Sequence, residues 1–253
     1  MTPLIHLLDE ETINQIAAGE VVENSASVVK ELIENSLDAG ALFIRIEIIA
    51  GGKQLIRVQD DGKGMSPEDA LLSLKRHATS KIRSSSDLDL LSTKGFRGEA
   101  LAAIGSISKL RLITNHTLDE HAGFMIIQEG GKILETGEAL RKQGTTLEIT
   151  SLFYNTPARR KFQRSLQSDT NAIFKCVEQQ ALSHPEVHFE LFQGSERLLS
   201  CPKSSLEERM QLLMGNQDFI PLYAKTGSYA LEGFISHPLL SRSNRTGQYL
   251  FIN

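Results

Sequence analysis

Between Phe43 and Gln59 apolar and polar residues alternate one by one. Ile44, Ile46 and Ile48 trade places with Phe43, Arg45 and Glu47, and after Gly51, Gly52 and Lys53 the residues Ile56 and Val58 trade places with Arg57 and Gln59. A period of two in two runs split by glycines predicts a β-hairpin with one buried face. The preceding stretch has a different period. In SVVKELIENSLDAG (27–40), Val28, Val29, Leu32, Ile33 and Leu37 recur at helical spacing, Asn24 or Ser25 can cap the start, and Gly40 sits where a helix stops. The opposite side of that predicted helix aligns Glu31, Asn35 and Asp38 at i, i+4 and i+7. SPEDALLSLKRHA (66–78) offers Ser66 as cap, Pro67 at the first helical position and Asp69 in the capping-box place, so a second helix is predicted. A third is expected to begin near Arg97 or Glu99. KLRLITN, GFMIIQE, GTTLEIT and VHFELFQ read as strands and TNAIFKCVEQQAL as a helix. The sum is an α+β protein: a mixed or antiparallel sheet with helices on one face, a two-layer sandwich.

Composition narrows this further. The chain has 253 residues, with no repeats or low-complexity tract, and its best domain boundary is the polar, breaker-containing stretch SCPKSSLEER (200–209). We therefore expect one domain over 1–203 and the start of another over 204–253. YLFIN closes the sequence without a turn signal, so a piece of a longer protein is expected. The net charge is −4, from 27 Lys+Arg against 31 Asp+Glu, which excludes a protein that coats nucleic acid over its whole surface; any contact with DNA must be local. No apolar run approaches the roughly 20 residues of a membrane span, and MTPLIHLLDEET lacks the features of a secretory signal. With two cysteines, Cys176 and Cys201, matching no zinc spacing, a reducing cytoplasmic setting is expected. His184 and His188 of HPEVH read as ordinary histidines rather than metal ligands.

Four segments could carry chemistry: ELIENSLDA (31–39), DDGKG (60–64), GFRGEAL (95–101) and Gly144-Thr145. Each has a plain alternative. A Glu/Asn/Asp face on a helix is commonly just solvated, DDGKG can be a surface turn, and paired glycines before a helix can be a hinge. A dinucleotide fingerprint fails because Pro67 stands where its third glycine belongs, and no GxxxxGK[ST] loop occurs. GFRGEAL can nevertheless turn backbone N–H groups toward a phosphate. The order of the four segments, each in its expected context of helix, strand–turn or loop–helix, favours a common purpose.

Together with QIAAGEVV (15–22), RHATSKI (76–82) and LFYNTPARRKF (152–162), these segments resemble the N-terminal ATPase region of MutL-type DNA mismatch-repair proteins. The likeness runs from about residue 10 to the end, weakly over 165–250. QIAAGEVV and FYNTPARRKF set it apart from the topoisomerases, chaperones and histidine kinases that share the ATP motifs. It implies the Bergerat ATP-binding fold, then the start of a second, ribosomal-protein-like domain. It implies ATP and Mg²⁺ as cofactors. Glu31 would be the general base that activates water, and Asn35 the Mg²⁺ ligand; a carboxylate and an amide oxygen suit those tasks. Asp60 would accept from the adenine amino group, beside Asp38, Ala39, Gly62, Gly64, Met65 and Thr145. Thr79, Ser80 and Lys81 would belong to a lid, and Gly95, Phe96, Arg97, Gly98, Glu99, Ala100 and Leu101 would wrap the phosphates. Asn24-Ser25 stand where the family commonly has Arg-Pro, and Asp61 where many members have Asn, adding a negative charge near the site. The family's γ-phosphate lysine comes from beyond Asn253.

The same likeness implies a switch: ATP binding closes a homodimer through an N-terminal arm of about residues 1–20, and the dimer links the mismatch-recognition protein MutS to a downstream helicase or nuclease. Arg159, Arg160 and Lys161 form a local basic cluster suited to sequence-independent DNA contact, or else a solvated charge run. Two other readings stay open: a nucleotide-binding module without turnover, and another ATPase of the wider superfamily.

Overall fold

The computed structural model describes residues 7–81, 95, 98–215, 218–240 and 247–252. The strands are β1 (Phe43–Ile49), β2 (Leu55–Asp60), β3 (Lys109–Asn115), β4 (Gly123–Glu129), β5 (Lys132–Ala139), β6 (Gly144–Thr150), β7 (His188–Gln193) and β8 (Glu196–Cys201). They form one sheet in the order β5-β4-β3-β6-β2-β1-β7-β8. Only the β1–β7 pair in it is parallel, so the sheet is mixed. The predicted hairpin is in register, with Ile46 opposite Val58 and Ile48 opposite Ile56.

Alternation explains the two faces. Ile44, Ile46, Ile48, Ile56, Leu110, Leu112, Leu147 and Ile149 are buried in the core under the helices. On the opposite face their neighbours along the strands form a ladder of charges: Arg57 bridges Glu47 (2.6 Å) and Glu148 (2.8 Å), and Arg111 adds to Glu148 (3.5 Å). Opposite charges on adjacent strands keep that face soluble without a second layer.

The helices are α1 (Glu10–Val21), α2 (Ser25–Asp38), α3 (Pro67–Ser73), α4 (Ala100–Ser106), α5 (Pro157–Lys161), α6 (Leu166–Ser183) and α7 (Leu206–Met214). Asn24 caps α2 by accepting from the Ser27 N–H, and Gly40 follows its end at φ +75°, as the sequence predicts. Val28, Val29, Leu32 and Ile33 are the side that α2 buries. The second predicted helix is shorter than its pattern, because α3 closes at Leu74. α1 packs on α4, and α2 on α6.

α7 is tied down by Arg209, which is 0% exposed. Its guanidinium donates to the carbonyls of Ala181 (2.6 Å), Val187 (3.0 Å) and Pro202 (2.7 Å), gathering the end of α6, the start of β7 and the end of β8. A separate hairpin, β9 (Phe219–Thr226) with β10 (Tyr229–Ser236), follows. No helix among the described residues is long and apolar enough to cross a membrane.

Candidate functional site

Asp60 closes β2 and is only 6% exposed. Its Oδ1 accepts from the backbone N–H groups of Gly62 (2.9 Å) and Thr145 (3.1 Å), and its Oδ2 accepts from the Ser36 hydroxyl at 2.8 Å. A carboxylate oxygen can accept twice, so Oδ2 keeps one position for an external donor. Burial pushes the Asp60 carboxyl above its ordinary range, and the three donors and Arg141 pull it back. The glycines here are demanded by space. A Cβ on Gly62 would meet Ala39 at 2.9 Å, and one on Gly64, at φ +66°, would lie 1.9 Å from the Asn115 carbonyl oxygen. Beside them the Met65 N–H donates to Thr114 Oγ1 (3.0 Å), which also pairs with Thr145 Oγ1 at 3.0 Å. Thr145 thus reaches Asp60 through its amide, while its hydroxyl serves Thr114.

The polar side of α2 opens onto the same region through Ser36, which ties it to Asp60. Lys81 Nζ donates to Asn35 Oδ1 (3.2 Å) and pairs with Asp38 Oδ2 (2.5 Å), and the Gly95 N–H approaches Asp38 Oδ2 at 3.4 Å. Asn35, Asp38, Lys81 and Gly95, predicted from three separate motifs, are therefore in contact. Glu31, one turn earlier on α2, is partly buried; burial and then the charge of Glu34 raise its carboxyl, against Lys30 and Lys81. Gly98, at φ +61°, lies against Ala78, where a Cβ would be 2.4 Å from the carbonyl oxygen. His77 Nδ1 lies 3.2 Å from Glu99 Oε1, joining the predicted lid and phosphate segments next to Thr79 and Ser80. Ala100 and Leu101 begin α4, with Leu101 packed on the core. Phe96 and Arg97 lie outside the described residues. Among the described residues no group of three His, Cys, Asp or Glu could hold a metal ion.

The departure at Asp61 resolves simply. Its Oδ1 accepts from the N–H groups of Leu42 and Phe43, both at 2.8 Å, so this charge is spent on the entry to β1. Asn24, the other departure, is the α2 cap. Sequence reasoning missed Ser36, Thr114 and Arg141, which hold the Asp60 corner. Ser36 alone carried a signal, lying between Asn35 and Asp38 on the polar edge of α2.

The basic cluster is divided. Arg159 turns inward and donates to the Val22 carbonyl at 3.3 Å, whereas Arg160 and Lys161 are exposed beside Phe162, itself 87% exposed. A cleft of about 400 Å³ lies here, lined by Gly19, Val22, Asn24, Ser25, Arg159 and Arg164 among others. None of the residues around Asp60 or Asn35 borders it.

A family model described as "Histidine kinase-, DNA gyrase B-, and HSP90-like ATPase" matches residues 22–152, just over half of the chain. Among solved structures, the Aquifex aeolicus MutL ATPase domain complexed with ADP is 34% identical with a TM-score of 0.68, covering 85% of this chain and 78% of that one. The chain belongs to the MutL ATPase-domain family. A second structure of the ATPase domain of the Aquifex aeolicus mismatch-repair endonuclease MutL is 31% identical with a TM-score of 0.65, covering 90% of this chain and 76% of that one. The DNA mismatch repair protein MutL of Pelobacter propionicus is 45% identical over 256 residues, covering 100% of this chain and 42% of its own length. That of Dictyoglomus turgidum is also 45% identical, over 98% of this chain and 44% of its own. The chain thus spans about two fifths of the length of these MutL relatives. The expected Bergerat-type α+β architecture agrees with the family and with the sheet and helices described above.

Proposed function

We propose that this chain is the ATP-binding and ATP-hydrolysing part of a mismatch-repair switch. One observation carries the reading: Asp60 is a buried carboxylate with both oxygens fixed by the chain and a single acceptor position left, at a corner where glycines let a flat ligand approach. Such a group suits the adenine amino donor and disfavours guanine, which offers an oxygen there. Asp38, Ala39, Gly62, Gly64, Met65 and Thr145 would complete the base site, and Thr79, Ser80, Lys81 and Gly95 to Leu101 the phosphate side.

Asn35 fits a Mg²⁺ ligand, because its amide oxygen already faces a cation, the Lys81 ammonium. Asn35 would hold the ion, which, when bound, neutralises phosphate charge. Glu31 would take the proton from the attacking water. Its raised pKa makes it a better base than an ordinary carboxylate, while leaving it ionised above its own titration range. Lys81 would have to leave Asn35 and Asp38 to reach the phosphates, which makes closure of the lid part of binding. We expect slow, Mg²⁺-dependent turnover.

At the level of the whole protein we propose a nucleotide-driven homodimer in the cytoplasm, closed through the arm at about 1–20, that connects MutS to a helicase or nuclease. Arg160 and Lys161 would meet DNA non-specifically. We also propose the division into an ATPase domain over 1–203 and a second domain from 204, joined by the contacts of Arg209 across that point. The deciding experiment is phosphate release from ATP by this chain, with Mg²⁺ and with the metal chelated, beside equilibrium ATP binding. Metal-dependent release that Glu31→Ala abolishes supports the enzyme; ATP binding without release would leave a binding module, and no ATP binding would end the reading.

A further inference from the structure

Arg141 stands between β5 and β6, outside all of the segments on which the family resemblance rests. Its backbone is held on both sides: the N–H donates to the Glu120 carbonyl at 2.9 Å, and the C=O accepts from the buried Asn115 amide at 2.7 Å. From that fixed point the guanidinium reaches back 81 residues, and Nη2 donates to the backbone carbonyl of Asp60 at 2.6 Å. The ladder between β2 and β6 ends at Gln59 opposite Thr146, one residue short of this carbonyl. On its other side lies Gly144, where a Cβ would be 2.2 Å from the same oxygen. The Asp60 carbonyl is therefore enclosed between a glycine and a cation.

We propose that Arg141 is a positioning residue for purine selection: it fixes the backbone of Asp60 and presents a positive charge behind it, so that the free Oδ2 position is held in place as an acceptor. The inference rests on the base-binding role given to Asp60 above. Two further observations support it. Arg141 and the Asp60 carboxylate attract each other, and Arg141 opposes the upward push that burial gives Asp60, with Asp61 the other carboxylate acting on the guanidinium. Arg141 Nε is buried and has no partner among the described residues, while Nη2 carries the hydrogen bond to the Asp60 carbonyl. A carboxyl that lost this charge would be protonated more readily, and a protonated carboxyl can donate to the oxygen of guanine as well as accept from adenine.

The test uses the whole chain and its Arg141→Met, Arg141→Gln, Arg141→Lys and Asp60→Ala variants. Binding of ATP and of GTP is measured by displacement of a fluorescent nucleotide, with thermal unfolding of each variant recorded without nucleotide. Arg141→Met is expected to weaken ATP binding about tenfold, the scale of a lost charge-assisted hydrogen bond, while the already weak GTP binding holds or improves, so the ATP/GTP ratio narrows. Arg141→Gln, which keeps an N–H but no charge, should behave like Met and is the variant read if Arg141→Met does not fold. Arg141→Lys should restore most of the ratio. An unchanged ATP/GTP ratio in folded Arg141→Met or Arg141→Gln, or an equal loss of both nucleotides that Lys does not repair, would overturn the proposal. If Asp60→Ala binds ATP as well as the unmodified chain, the base-site reading itself fails and this inference with it; if Asp60→Ala loses ATP and the Arg141 variants keep the ratio, the inference alone fails.

Discussion

Arg159 lies directly on Gly19. A Cβ on Gly19 would come within 1.5 Å of Arg159 Nη2, and Nη1 of the same guanidinium donates to the Val22 carbonyl, 137 residues away in sequence. The two segments that most specifically mark the MutL resemblance, QIAAGEVV and FYNTPARRKF, are thus in contact through one side chain. Gly19 is inside α1, where glycine costs about 1 kcal/mol relative to alanine. A Cβ there would require the Arg159 guanidinium to shift, and its bond to Val22 with it.

This gives a double-mutant cycle. Gly19→Ala in the unmodified chain gains helix propensity but displaces the guanidinium, so its net effect on unfolding free energy should be close to zero or unfavourable. In an Arg159→Ala background the same change should stabilise by about 1 kcal/mol. Equal effects in the two backgrounds, measured by urea unfolding, would show that the two residues are not coupled.

Glu31→Gln should lower ATP turnover by about 10²–10⁴-fold and spare ATP binding, because a general base acts on water and not on the nucleotide. Turnover of the unmodified chain should rise with pH through a range above the ordinary carboxylate value, since burial and Glu34 raise the Glu31 pKa. Stability has the opposite sign. A carboxyl whose pKa is raised in the folded state contributes most below its unfolded pKa and loses that contribution as pH climbs through the folded one. The melting temperature of Glu31→Gln should accordingly gain on the unmodified chain as pH rises through this window, and match it at the acid end.

Asp60→Ala should weaken ATP binding about tenfold or more, the scale of a hydrogen bond to a charged group. The unmodified chain should prefer ATP to GTP, and this preference should decline on the acid side as the raised Asp60 carboxyl takes up its proton. Calorimetric titration with both nucleotides checks this, and equal affinities at neutral pH would remove Asp60 from base selection.

Charge reversal of Arg160 and Lys161 together should reduce low-salt DNA affinity. The log–log slope of affinity against salt should flatten by about 0.9 for each DNA phosphate that the variant no longer neutralises. Both side chains are exposed, so stability should change little. Arg159→Glu should behave differently, with loss of stability through α1. Unaltered DNA affinity in the Arg160/Lys161 variant would clear this surface of a DNA role.

Elements with a strong internal period were legible in the sequence. The β1–β2 hairpin and α2 are where the alternation of Ile44 to Ile48 and the spacing of Val28 to Ile33 put them, because each buries one face. β5 was not legible. Most of its residues are exposed at the sheet edge, so Ile133 and Leu134 show no alternation for a reader to find. α1 was obscured by Gly19, a poor helix former inside it, and the side chain packed on that glycine, Arg159, comes from far along the chain. At the site, motif residues were legible because their side chains meet one another across motifs, as those of Asn35, Asp38 and Lys81 do. Arg141 was not, since it meets a backbone carbonyl, and a carbonyl leaves no trace in the residue type at position 60.

Arg209 has a consequence for where the chain can be cut. A break in the amino-acid pattern falls at 200–209, yet a guanidinium from its far end satisfies carbonyls on α6, at Val187 just before β7 and on β8. Buried carbonyls left without a donor are costly, so a chain ended at 203 forfeits the hydrogen bonds that hold the edge of the sheet against α6. The portion that unfolds as one cooperative body is therefore expected to include α7, so that the seam in composition at 204, where the second domain is proposed to begin, and the seam in folding fall at different places in the same molecule.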